Sequence, residues 1–132
     1  MFLNSLNEDQ RKSFLALATK MALADGHVAV QEVGILQELA DIFGEDLEPP
    51  AEEVYGPVNT APFDTRASRV LTLAGMFLIA YIDERFHVDE SSVLADITKA
   101  FEFSAEETER LKAWAEAEAE LTKELNSIRD GS

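Results

Sequence analysis

Two stretches of this chain repeat each other at a fixed distance, and that repeat constrains the fold more than any other feature. Met21-Ala22-Leu23-Ala24-Asp25-Gly26-His27-Val28-Ala29-Val30-Gln31-Glu32 lies over Ile79-Ala80-Tyr81-Ile82-Asp83-Glu84-Arg85-Phe86-His87-Val88-Asp89-Glu90, so that Asp25 and Asp83, and Glu32 and Glu90, are each 58 residues apart. The same offset pairs Ile35 with Val93, Leu36 with Leu94, Leu39 with Ile97 and Phe43 with Phe101. A repeated unit of this kind does not bury its apolar face alone and stacks on its copy. Two helical hairpins about a pseudo-twofold axis are therefore expected.

Helical spacing runs through both copies. Phe14, Leu17, Ala18 and Met21 line one face of a helix between Asn7 and Ala24, and Asn7 with Gln10 three positions on predicts a reciprocal cap at its start. After Asp25-Gly26-His27-Val28, a second helix is expected from about Val30 to Phe43, with Val33, Leu36, Leu39, Ala40 and Phe43 inward and Gly44 past its end. All 4 prolines and Gly56 fall between Glu45 and Pro62, which predicts an irregular connection with at most one or two helical turns. Asp64 is placed to cap a third helix through Val70, Leu73, Ala74, Phe77, Leu78 and Tyr81, apolar on nearly all sides and so expected at the centre.

A fourth helix is expected from about Val88 to Phe101, with Val93, Leu94, Ile97 and Phe101 inward. Ser104-Ala105-Glu106-Glu107 has the form of a capping box opening a last, acidic, Ala-rich helix. Its apolar residues Leu111, Trp114, Ala115, Leu121, Leu125 and Ile128 thin out beyond Ala115, so the segment after about Ala119 either packs lightly across the bundle or projects toward a partner. Phe14, Phe43, Phe77, Tyr81, Phe101 and Trp114 read as core; Tyr55 and Phe63 flank the proline-rich connection, as a cover for the open end of the bundle or as an apolar anchor. The expected fold is all-α, a helical bundle of two repeated helical hairpins plus a long C-terminal helix. It forms a single domain over 1–132, with hairpins at 1–44 and 64–102, the connection at 45–63 and the closing helix at 104–129.

Composition narrows the function. Against 26 Asp+Glu stand 11 Lys+Arg, a formal charge of −15, the wrong sign for binding nucleic acid through its phosphates and the right one for a basic protein segment. The absence of Cys excludes disulfides, thiolate zinc sites, iron-sulfur clusters and thiol catalysis. The run from Val70 to Ile82 is shorter than the roughly 20 residues that span a bilayer, so no membrane insertion is expected. Met1-Phe2-Leu3-Asn4-Ser5-Leu6 lacks the basic and apolar regions of an export signal, which makes the cytoplasm the expected location. Phosphate-binding loops, dinucleotide fingerprints, His-Glu-x-x-His and Gly-x-Ser-x-Gly are all missing, so no enzyme is expected.

The motif Ala24-Asp25-Gly26-x-Val28-x-x-x-Glu32 resembles the Ala-Asp-Gly-x-Ile-x-x-x-Glu signature of the TerB-like family, which includes tellurite-resistance TerB proteins and the N-terminal domain of the co-chaperone DjlA. The resemblance covers about Asn7 to Trp114, both repeats included. It implies an all-α fold, a role in metal or chemical stress and no established catalysis, and it maps the family's acidic positions onto Asp25, Glu32, Asp83 and Glu90. Glu84 stands where the second signature has Gly, and Ala29 where the family often has Ser.

Physical chemistry leaves two readings of those acids open. Asp25 and Asp83 are expected at helix C-terminal ends, where the partial negative charge disfavours a carboxylate by about 0.3 to 1 kcal/mol. In one reading each Asp turns to the amides of the next helix, while Glu32 and Glu90 sit in favourable first turns. In the other, four carboxylates converge and a divalent cation neutralises them: Ca²⁺, Mg²⁺ or Mn²⁺ with oxygen ligands alone, Zn²⁺ if His27 or His87 joins. The two histidines are not equivalent under the repeat, and Glu84-Arg85-Phe86-His87 is a single copy of a motif that di-iron bundles use in pairs. The chain is thus expected to be a noncatalytic metal-binding or metal-sensing stress domain, or a protein-interaction adaptor with structural acids. A protein partner, including a basic segment, or a second copy of the chain is compatible with either.

Overall fold

The computed structural model describes residues 2–24, 50–82 and 91–131. The expected helix from Val30 to Phe43 and both hairpin loops lie outside the described residues. A 3-10 turn at Phe2–Ser5 is followed by α1 (Glu8–Ala24), α2 (Ala51–Tyr55), α3 (Arg66–Ile82), α4 (Ser92–Ala100) and α5 (Ala105–Arg129). The described residues are all-α, without a strand. No helix among them is long and apolar enough to cross a membrane.

Helices α1 and α3 begin 58 positions apart, at Glu8 and Arg66. Their starts repeat as well. The Asn7 N–H donates to Gln10 Oε1 and the Gln10 N–H to Asn7 Oδ1, both at 2.9 Å. At the corresponding positions the Thr65 N–H donates to Ser68 Oγ at 3.3 Å and the Ser68 N–H to Thr65 Oγ1 at 3.1 Å. Two of the orphan donors at each helix start are satisfied in this way. Thr65, not Asp64, therefore caps α3, because its hydroxyl meets a partner at the third helical position that closes the box.

Helix α3 is the centre. Leu73, Ala74, Met76, Phe77, Leu78 and Ala80 are all buried, and the 3-10 turn, α1, α4 and α5 pack around it. A side chain at Gly75 would meet the Phe14 ring at 2.9 Å and Leu3 at 3.0 Å, so the missing Cβ sets how closely α1 and the 3-10 turn approach. Short α2 is moored to α1: Ser13 Oγ donates to Glu53 Oε1 at 2.7 Å, and Lys20 Nζ donates to the Val54 carbonyl at 3.2 Å and to the Gly56 carbonyl. The end of the connection is held by Gln10 Nε2 on the Pro62 carbonyl at 3.0 Å. Phe63 is then fully buried with its ring edge-on to Phe101 at 5.5 Å, covering the core, whereas Tyr55 is 81% exposed.

Helix α4 begins later than the spacing predicted. Ser91 has extended backbone angles and its hydroxyl accepts from the Leu94 N–H at 3.2 Å, which fixes the start at Ser92 rather than near Val88. At the other end Phe103 N–H bonds the Thr98 carbonyl and Glu102 N–H bonds the Lys99 carbonyl, while Glu102 has φ +62°. This is a Schellman stop with glutamate in the left-handed position that glycine usually takes. The left-handed conformation costs a non-glycine residue about 1 to 2 kcal/mol.

Glu102→Gly is expected to raise stability by about 0.5 to 1 kcal/mol, the relief of that strain less the extra freedom of glycine in the unfolded chain. Urea denaturation of the two proteins checks this; a lower midpoint for the glycine variant would show that the Glu102 side chain contributes something its exposed position does not reveal.

Candidate functional site

Asp25, Glu32, Asp83 and Glu90 lie outside the described residues, as do His27 and His87. Among the described residues, no group of three or more His, Cys, Asp or Glu side chains is arranged to hold a metal ion. What the described residues do present is an apolar surface on α5.

Ser104 starts α5 as expected: its hydroxyl accepts from the Glu107 N–H at 3.1 Å, and its own N–H donates to Glu107 Oε1 at 3.0 Å. The second Glu107 oxygen takes the Arg66 guanidinium, whose Cζ lies 5.5 Å from the centre of the Phe103 ring. This joins the start of α5 to the start of α3. The Ser104 N–H first, then Arg66, hold the Glu107 carboxyl below its ordinary value of 4.5.

Only Ala115 and Ala119 of α5 are fully buried. Trp114 is 39% exposed, Leu121 60%, Leu125 66% and Ile128 67%. The expectation that Trp114 belongs to the core is thereby corrected: a helix that meets α3 through alanines comes too close to seat an indole between them, and the ring is displaced to the side. At 100° per residue, Trp114, Leu121, Leu125 and Ile128 share a sector of about 60°, roughly 130° round the helix from the two alanines. Glu107 and Arg110 fall in that sector, and Leu111 lies about 40° outside it, on the side of the alanines.

Beside this sector, α3 and α5 leave a groove of about 440 Å³. Val70, Leu71 and Ala74 of α3 face Leu111 and Trp114 of α5 across it, Phe103 closes one end, and Arg66, Glu107 and Arg110 form its polar rim. Trp114, which lines the groove, shares its sector of α5 with Leu121, Leu125 and Ile128. Sequence reasoning missed the α3 wall and the place of Trp114. The available signal was the separation on a helical wheel of the Ala115-Ala119 line from the Trp114-Leu121-Leu125-Ile128 line.

Because the Glu107 pKa is lowered on folding, its contribution to stability is present above the ordinary value of 4.5 and lost as pH falls through the lowered one. Glu107→Gln keeps an oxygen for the Ser104 N–H but gives up the charge facing Arg66. Between about pH 5 and pH 3 the thermal midpoint of the unaltered protein is expected to fall further than that of the variant. Parallel decreases in the two midpoints would remove the Arg66–Glu107 pair from the account.

Compared with protein families, with curated proteins and with solved structures, the chain matches none of them.

Proposed function

We propose that this chain is a noncatalytic protein-interaction domain, an adaptor that presents the flank of α5 to a partner. The observation that carries this reading is the row Leu121, Leu125 and Ile128, each at least 60% exposed on α5. Isolated exposed aliphatic side chains are ordinary, but a row at spacings of four and three residues beside an apolar groove is the pattern of a docking seam. Covering three such side chains contributes roughly 1.5 to 3 kcal/mol each. A photo-reactive amino acid at position 125 is expected to give a covalent adduct with another protein in cells, whereas the same group at exposed Ala95 of α4 gives none. Absence of an adduct at 125, or equal labelling at 95, would sink the adaptor reading.

A second reading is supported by the repeated Asp-x6-Glu spacing and by the resemblance to the TerB-like family: Asp25, Glu32, Asp83 and Glu90 bind a divalent cation in a metal or chemical stress response. Calorimetric titration of chelator-treated protein with Ca²⁺, Mg²⁺, Mn²⁺ and Zn²⁺ is expected to show one saturable ion, with binding at least about tenfold weaker in the double variant Asp25→Asn/Asp83→Asn. Featureless titrations with all four ions would dispose of it.

A further inference from the structure

We infer that the groove between α3 and α5 and the row beyond it form one continuous seat for a basic amphipathic α-helix of a partner protein; the inference rests on the adaptor reading. From Glu107 to Ile128 the seat is about 31 Å long, the length of an α-helix of roughly 20 residues. Its apolar part is one sector wide, which suits the single stripe of a helix with apolar residues at i, i+4 and i+7 rather than a flat sheet edge. The groove, bounded by Val70, Leu71, Ala74 and Trp114, takes the largest apolar side chains of the incoming helix, and Leu121, Leu125 and Ile128 cover the remainder of its stripe.

Charge selects among the possible occupants. On the helical wheel Glu118 and Glu124 are the acids that border the row on its two sides, while Glu116 lies on the opposite face and Glu120 faces away beside Lys123 at 3.9 Å. The apolar segment 30–43 of the same chain carries Glu32, Glu38 and Asp41 and no basic residue, so it would bring acids against acids. A second copy would bring a net charge of −15 against another −15. A helix with lysines or arginines flanking its apolar stripe instead meets complementary charge, which speeds encounter and disfavours the acidic rivals. At the groove end Glu107 answers Arg66 and Arg110 leaves a positive charge on the rim, so the basic flank of the partner belongs opposite Glu118 and Glu124.

Trp114 is the only tryptophan and lies at the lip of the groove, so its fluorescence reports occupation. The test is a titration of the intact protein with three synthetic 20-residue peptides: a Leu/Lys sequence with helical Leu spacing, a Leu/Glu sequence with the same spacing, and a scrambled Leu/Lys sequence. The spaced Leu/Lys peptide is expected to shift Trp114 emission to the blue and to bind at least tenfold tighter than the other two. Leu121→Ser/Leu125→Ser, exposed positions that leave the core intact, is expected to weaken it at least tenfold, and Glu118→Lys/Glu124→Lys to move the preference toward the Leu/Glu peptide. If the Leu/Glu peptide binds as well and the serine variant loses both, the adaptor seat stands and the basic partner is wrong. If the serine variant changes nothing, or the scrambled peptide binds equally, both the seat and the adaptor reading fall. A dimer in sedimentation that the serine variant dissociates would assign the seat to a second copy and overturn the inference.

Discussion

Helix α3 has no polar face to turn to water, and the rest of the described structure follows from that. Its apolar residues point in every direction, so it is stable only when surrounded, and the 3-10 turn, α1, α4 and α5 each take one side. The close approach at Gly75 shows how tight the enclosure is, with Phe14 and Leu3 occupying the space a Cβ would need. Of the polar groups drawn inward by this packing, Gln10, Ser68 and Ser91 are held by caps and short tethers, whereas the fully buried Thr72 hydroxyl of α3 meets no hydrogen-bond partner among the described residues.

The same enclosure explains why α5 carries an exposed apolar row. Covering α3 takes only the small Ala115 and Ala119 and part of Leu111, since alanines let two helices approach closely and seal the core without large side chains. The larger residues of α5 are therefore released from the core. Trp114 goes to the lip of the groove, and Leu121, Leu125 and Ile128 continue on the same flank, beyond what closing the bundle requires. The exposed row on this face is thus a by-product of how little apolar surface the closing helix must contribute.

Much of this was legible in the residues. Asn7 with Gln10 and Ser104 with Glu107 marked two helix starts because a capping box is a local arrangement of four residues whose hydrogen bonds need nothing from the rest of the fold. The central burial of α3 was legible because a run without a polar face leaves no alternative. Thr65 was missed in favour of Asp64 because both residue types cap well, and only the position of Ser68 at the matching distance distinguishes them. The start of α4 was misplaced for a similar reason: Val88 fits the apolar period, but the period does not register that Ser91 is extended.

By itself the sequence determined an all-α chain, the places where three of its helices begin or end, and the 58-residue offset that reappears in the starts of α1 and α3. These are local or periodic properties, carried by hydrogen bonds and spacings within a few turns. Only the tertiary structure decided which side of α5 faces the core, that Phe63 folds in while Tyr55 stays out, and that Arg66 reaches Glu107 to frame a groove. An amphipathic helix with two apolar lines can bury either, and the choice is made by the partner helix: α3 accepts the alanine line because it allows the closer approach, leaving the line of Trp114, Leu121, Leu125 and Ile128 to the solvent side.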